Sequence, residues 1–294
     1  MQLETDFFWG SIESIKSPFF AENLRMKITF KEFNIIYQRH VQKVISFCTE
    51  DMQAKIAANN VGWEAPYSFG SYLEKSAMRF YKAYTEIPES ARTCVDIGGF
   101  WGVLPLTLKE LGYEVTMTEA LKFYDHSFDE LFDYIRTNGV EIWDIDPFTE
   151  DLGNRSYDFV SVMAVLEHIP DSLNFFLTNV KQIMTANTAL YCDVPNIAYY
   201  FKRRDLLFGK SPLPDIMQIY RSRVPFIGHH HEFTIEEFIR LFNSAGFRNT
   251  DLYPYNYSIK LNLKFMLRYP LAFLCLSIFS SMSEVVGGTF YLSK

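Results

Sequence analysis

Asp96-Ile97-Gly98-Gly99-Phe100-Trp101-Gly102 and, 17 residues further on, Glu119 are the residues whose types and spacing could do chemistry. The apolar run Thr93-Cys94-Val95 leads into them and a helical pattern follows Gly102. A second run, Glu114-Val115-Thr116-Met117-Thr118, then delivers Glu119. That order predicts the first βαβ unit of a nucleotide-type fold, with the acid placed to accept both hydroxyls of a ribose. The glycine spacing narrows the choice of nucleotide. A dinucleotide fingerprint needs glycine at 98, 100 and 103, so that a pyrophosphate can settle on the helix N-terminus. Here 100 is Phe and 103 is Val. A smaller ligand without phosphate fits better, such as an adenosine carrying an amino-acid tail. Gly98, Gly99 and Gly102 would let the backbone approach it without Cβ atoms in the way. Asp96 would orient the loop or meet the ligand's ammonium group.

The stretches 96–102 and 113–119 resemble the first two motifs of class I S-adenosylmethionine-dependent methyltransferases. Tyr157-Asp158-Phe159-Val160-Ser161-Val162-Met163-Ala164-Val165-Leu166-Glu167-His168-Ile169-Pro170-Asp171 resembles the fourth strand and following loop of the small-molecule branch, which includes quinone O-methyltransferases. Gly228-His229-His230-His231-Glu232-Phe233-Thr234, with an amphipathic helix and Ala245-Gly246-Phe247 after it, is a third match. The likeness covers about residues 90–256, and Phe100 departs from it where the family usually has glycine.

The resemblance implies S-adenosylmethionine as cofactor, with Glu119 on the ribose. It also implies an acid after the third strand reaching the adenine amino group. Asp144 and Asp146 both stand there, and the sequence leaves the choice open. Val165 and Leu166 would pack on the adenosine or methionine portion. His168 is suited to general-base work or to ordering its loop. His229 aligns with the family histidine that precedes the capped helix, as base or substrate contact. Consecutive residues of an extended segment point to opposite sides, so of the histidine run only His229 and His231 could share one centre. Apart from Glu232 no ligand set completes it, and no metal is expected.

The segment 196–228 reads as a substrate-side insert. Lys202, Arg203, Arg204, Lys210, Arg221 and Arg223 outnumber Asp205 and Asp215, with Tyr199, Tyr200 and Phe201 alongside. Arg203, Arg204 and Tyr200 are the substrate candidates; such a cover suits an anionic sugar- or lipid-linked acceptor, or is simply a solvated basic helix. Near the C-terminus Tyr269–Ser283 carries no charge, and Lys260, Lys264 and Arg268 precede it at every fourth residue. Residues 260–283 read as a core helix between the sixth and seventh strands or a homodimer interface. The other reading is an interfacial helix in peripheral contact with a membrane, since the run is shorter than the roughly 20 residues a span needs.

The elements that must position these residues follow from periodicity. Strands are expected near 93–97, 114–118, 140–145, 159–163 and 189–194, a sixth near 248–254, and a last one at Gly287–Leu292. Helices are expected near 102–111, 122–137, 171–185 and 235–245, the last with a Thr234/Glu237 capping box and Gly246 as its stop. With the resemblance, this is a doubly wound, Rossmann-like α/β fold: a seven-stranded sheet with an antiparallel last strand, occupying 91–294. Residues 1–90 form a helical N-terminal extension or lid. Phe33, Ile36, Tyr37, Val41, Val44, Ile45 and Cys48 make one helical stripe, and Ser71 with Glu74 reads as a capping box opening a second helix.

The chain has 294 residues, 48% of them hydrophobic, and a net charge of −7, which argues against nucleic acid as partner. Cys48, Cys94, Cys192 and Cys275 form no CxxC pair, and the acidic start Met1–Asp6 lacks signal-peptide order. Both point to the cytoplasm, at most peripherally at the inner membrane surface. The expected activity is methyl transfer to an oxygen of a small-molecule substrate. The alternatives are a non-catalytic S-adenosylmethionine-binding protein and a membrane-surface scaffold.

Overall fold

The computed structural model describes residues 27–50, 52, 69–213, 215–222, 226 and 228–293. The start of the chain and Arg223 lie outside them. Seven strands form one sheet: β1 Thr93–Ile97, β2 Glu114–Glu119, β3 Glu141–Asp144, β4 Tyr157–Met163, β5 Met184–Pro195, β6 Phe247–Tyr255 and β7 Val285–Leu292. Their order is β3-β2-β1-β4-β5-β7-β6. The first five run parallel, and β7 is antiparallel to both its neighbours. Parallel strands need crossovers, and buried runs such as Cys94-Val95 in β1 and Phe159-Val160 in β4 are apolar because helices cover both faces.

The crossover helices are α4 Val103–Glu110, α5 Asp129–Thr137, α6 Leu173–Gln182 and α9 Ile235–Ser244. Thr234 and Glu237 close the expected capping box on α9, and Gly246 ends it at a φ of +82°. The expected helix over 122–137 is shorter. Two 3-10 turns, Leu121–Phe123 and His126–Phe128, come first, because the Asp125 carboxylate accepts from Ser127 N at 3.0 Å and ends the first turn. Strand β5 starts five residues before its apolar part. Thr188 Oγ1 accepts from Thr185 N and donates to Tyr157 O, which holds the polar stretch at the sheet.

Among the described residues three helices precede the sheet: α1 Phe30–Ile45, α2 Phe69–Lys75 and α3 Ala77–Glu86. Thr29 and Glu32 cap α1 reciprocally, and Phe33, Tyr37, Val41 and Val44 form its buried face. That face shares one core with Leu104, Leu106 and Leu108 of α4, so the helices form a continuous layer on the sheet. Ser71 does not open a helix. It lies inside α2, and the break falls at Ser76, whose hydroxyl donates to Tyr72 O.

The insert contains α7 Tyr200–Leu207 and α8 Ile216–Arg221. Between β6 and β7 run α10 Leu263–Arg268 and α11 Pro270–Ile278. α11 is not a core helix: only Ala272 and Leu276 are buried. Among the described residues no helix is long and apolar enough to cross a membrane.

Candidate active site

The loop after β1 is shaped by close approach. Gly98 has a φ of +68° and donates from its backbone N to Thr118 Oγ1 at 3.1 Å. A Cβ on Gly99 would stand 2.8 Å from Met117 Cβ, and one on Gly102 would stand 2.7 Å from Ile135 Cδ1. These positions are glycine because the loop must lie on β2 and α5. Phe100, where the family usually has glycine, takes a φ of +51° itself. Its backbone N–H donates to Glu119 Oε2 at 2.8 Å, and Tyr124 OH donates to Oε1 at 2.6 Å. Burial pushes Glu119 up to about 7, against the lowering effect of those two bonds.

Asp96 is buried at the end of β1 and accepts from Ser161 Oγ at 2.5 Å. Burial pushes it up to about 7 as well, so an arriving ammonium group would find a carboxyl ready to ionise. Each Glu119 oxygen accepts one bond and keeps acceptor capacity for a ribose hydroxyl. An S-adenosyl group therefore fits this end of the sheet. Glu119 would take the ribose, Asp96 the ammonium, and the glycine loop the backbone contact.

Asp144 is the register partner of Glu119 and accepts from Leu121 N at 2.9 Å. Asp146 is buried, accepts from Phe148 N, and pairs with Lys122 Nζ at 3.0 Å. Both acids therefore stand on the far side of Glu119 from the loop. Val165 and Leu166 are buried, and a Cβ on Gly98 would lie 3.2 Å from Val165 Cγ2. The turn after β4 thus closes onto the glycine loop.

That turn carries Glu167 and His168. Its carbonyl at Glu167 accepts from His230 N at 2.6 Å, which draws the 228–232 segment over it. The His168 and His229 rings consequently meet edge to face, 4.8 Å between centroids. His229 Nδ1 lies 2.8 Å from Glu232 Oε1, and Lys202 of α7 pairs with the other Glu232 oxygen. Burial, reinforced by the charges of Lys202 and Arg79 and by His168, pushes His229 down to about 3. With Nδ1 facing Glu232, Nε2 is turned away from that carboxylate.

His229 and His231 do not share a centre, since His231 turns to Phe233 and stands 3.9 Å from Glu237. Glu167, His168 and His229 converge instead, each offering one ligand atom, all within 4.8 Å of one another. Glu167 is fully buried, its carboxylate oxygens have no hydrogen-bond partner among the described residues, and burial pushes it up to about 8.

The substrate candidates of the insert are engaged locally. Arg203 donates to Ala198 O, Arg204 pairs with Asp205, and Tyr200 meets the edge of Phe201. Lys202, between them in sequence, is the residue that reaches the histidine pair through Glu232. Arg79 and Asp193, buried beside the same turn, carry no motif; only a long-range contact reveals them. A separate cleft of about 460 Å³ opens at the other end of the strands, lined by Thr93, Glu114, Glu141 and Arg155, away from all these groups.

A glycine loop after β1, an acid ending β2 and an antiparallel strand inserted before β6 define a nucleoside-binding, doubly wound α/β class. Residues 69–252 match the family model described as Methyltransferase domain. The chain belongs to that family. It is 26% identical over 175 residues to the ubiquinone biosynthesis O-methyltransferase of Rickettsia conorii, and the aligned part spans 58% of each protein. Two solved structures share the fold. A candidate S-adenosylmethionine-dependent methyltransferase from Listeria monocytogenes superposes with a TM-score of 0.51 at 12% identity, over 74% of this chain and 100% of that one. A chain of the complex between the Haloferax volcanii methyltransferase activator Trm112 and a candidate methyltransferase gives 0.52 at 13%, over 90% and 98%.

Proposed function

We propose that this methyltransferase methylates an oxygen of a small acceptor that enters beside His168 and His229. The observation that carries the reading is the His229–Glu232 contact beside the turn that closes onto the glycine loop: it orients the imidazole with Nε2 facing away from the carboxylate. S-adenosylmethionine, when bound, supplies an electrophilic sulfonium methyl. The chain's own task is alignment and exclusion of water. As the acceptor oxygen forms its bond to the methyl carbon and the carbon–sulfur bond breaks, His229 Nε2 takes the hydroxyl proton. Glu232 holds the resulting imidazolium. The name of the Rickettsia relative supports oxygen as the acceptor atom.

A second reading rests on Glu167. An ionised carboxylate buried without partners is costly, and a divalent cation held by Glu167, His168 and His229 would remove that cost. In that case the three residues would hold the cation, which would lower the pKa of the acceptor hydroxyl enough for its proton to be lost to solvent water.

Calorimetric titration of S-adenosylhomocysteine into wild type and Glu119→Ala tests the cofactor site. Binding weakened at least about tenfold in the variant is expected, since two ribose hydrogen bonds to a charged group are lost. Folded wild type that binds no S-adenosylhomocysteine would sink the proposal. His229→Gln, assayed against phenolic and sugar acceptors, then separates base from bystander.

A further inference from the structure

Helices α7, α10 and α11 leave an apolar face open. On α11, Leu271 is 64% exposed, Leu274 54% and Ile278 61%. α7 packs beside it through Phe201, whose ring meets Tyr269 at 5.9 Å, and its end presents Leu206, Leu207 and Phe208. Such a face on a soluble monomer marks a docking surface.

We propose that this face docks the protein on an anionic phospholipid membrane. The charge pattern selects that occupant. Lys260, Lys264, Arg268, Arg203, Arg204 and Lys210 are exposed around the apolar residues. Residues 256–283 contain no acid, and 196–222 contain only Asp205 and Asp215, in a chain of net charge −7. A second copy of the same face would set these cations against one another, whereas acidic headgroups neutralise them. The geometry selects the mode. Nine helical residues span about 14 Å, half of a bilayer's hydrocarbon thickness, so α11 lies in the interface and does not cross it.

Docking has a consequence for the active site, which rests on the function proposed above. α7 carries Lys202 on the side that reaches Glu232, and Leu207, on another face of the helix, lies on the open side. Because α7 belongs both to the docked face and, through Lys202 and Glu232, to the histidine site, the acceptor we infer is an amphiphile with its nucleophilic oxygen in the headgroup region.

The test is co-sedimentation with phosphatidylcholine vesicles, with and without about 30% phosphatidylglycerol. Wild type should bind the anionic vesicles at least about tenfold more than the neutral ones, and less as salt is raised. Leu207→Glu/Leu271→Glu/Leu274→Glu and Lys264→Glu/Arg268→Glu should each lose about tenfold or more, while still binding S-adenosylhomocysteine, which shows that they are folded. Wild type left in the supernatant would overturn the proposal, as would equal binding to both lipids untouched by charge reversal. So would a dimer that the triple substitution disperses while vesicles never bind. Vesicle binding and S-adenosylhomocysteine binding are read on the same samples, so failure of docking and failure of the methyltransferase site are told apart.

Discussion

Arg79 Nε donates to Asp193 Oδ2 at 2.8 Å and its Nη2 donates to Oδ1, fastening α3 to the C-terminal end of β5 by a buried bidentate ion pair. Asp193 also accepts from Tyr255 OH at 2.6 Å and from Ala164 N at 3.2 Å. Ala164 sits at a φ of +53°, two residues before the turn that carries Glu167 and His168. The pair therefore holds the helical layer, the sheet and the Leu166–His168 turn together.

Removing one partner strands the other charge in the core. Arg79→Met is expected to lower unfolding stability in urea by about 3–5 kcal/mol. Arg79→Met/Asp193→Leu should recover a large part of that loss, because no charge is then left unpaired. A single variant as stable as wild type would contradict the assignment.

Gly102 combines a φ of +71° with a Cβ position 2.7 Å from Ile135 Cδ1. Gly102→Ala should cost about 2 kcal/mol or more, from the left-handed backbone and the displaced isoleucine together. Gly153 provides the control. It has a φ of +66° and nothing within 4 Å of a Cβ, so Gly153→Ala should cost only about 1 kcal/mol.

Asp96 gives the protein a pH dependence of definite sign. Its folded value is raised to about 7 by burial, so between about pH 4 and 7 the folded state holds a proton that the unfolded chain has released. Stability of the ligand-free protein therefore falls as pH rises through that window, by up to roughly 4 kcal/mol from this group if the whole shift is realised. Glu119, also raised to about 7, acts in the same direction. Melting temperatures at pH 5 and pH 8 should show the decline, and Asp96→Asn should flatten it. Affinity for S-adenosylhomocysteine should rise over the same range, because its ammonium pairs with the ionised carboxylate.

Glu167 separates the two readings of the histidine pair. If a cation belongs there, manganese or zinc at about 100 times its dissociation constant stabilises wild type by about 2.7 kcal/mol, and Glu167→Gln abolishes the shift. A melting temperature unmoved by either metal leaves His229 as the base.

The positions of the groups around the glycine loop were legible because they are local. The glycine loop, Glu119 and the Val165–His168 turn each follow a strand whose apolar run marks its end. Capping at Thr234 was legible for the same reason, whereas Ser71 looked identical in pattern and failed because the α2 helix already starts at Phe69. The polar start of β5 was hidden, since its pairing comes from Thr188 and not from an apolar repeat. The surroundings of the histidine pair were mostly illegible. Lys202 and Glu232 lie 30 residues apart and Arg79 and Asp193 lie 114 apart, and no periodicity joins such pairs. Alternation in an extended strand suggested His229 with His231, but the His230 N–Glu167 O bond bends the segment and gives His229 a partner from another loop.

The position of β7 bears on how the molecule is made. This strand comes last of the seven in the chain yet lies inside the sheet, between β5 and β6, and among the described residues β6 pairs with no other strand. During synthesis the first five strands can assemble as they emerge, but β6 must wait, unpaired, until Val285–Leu292 leaves the ribosome. Completion of the sheet is thus a late, non-local step, and the nascent chain spends that interval with two open edges that the finished protein closes with one strand.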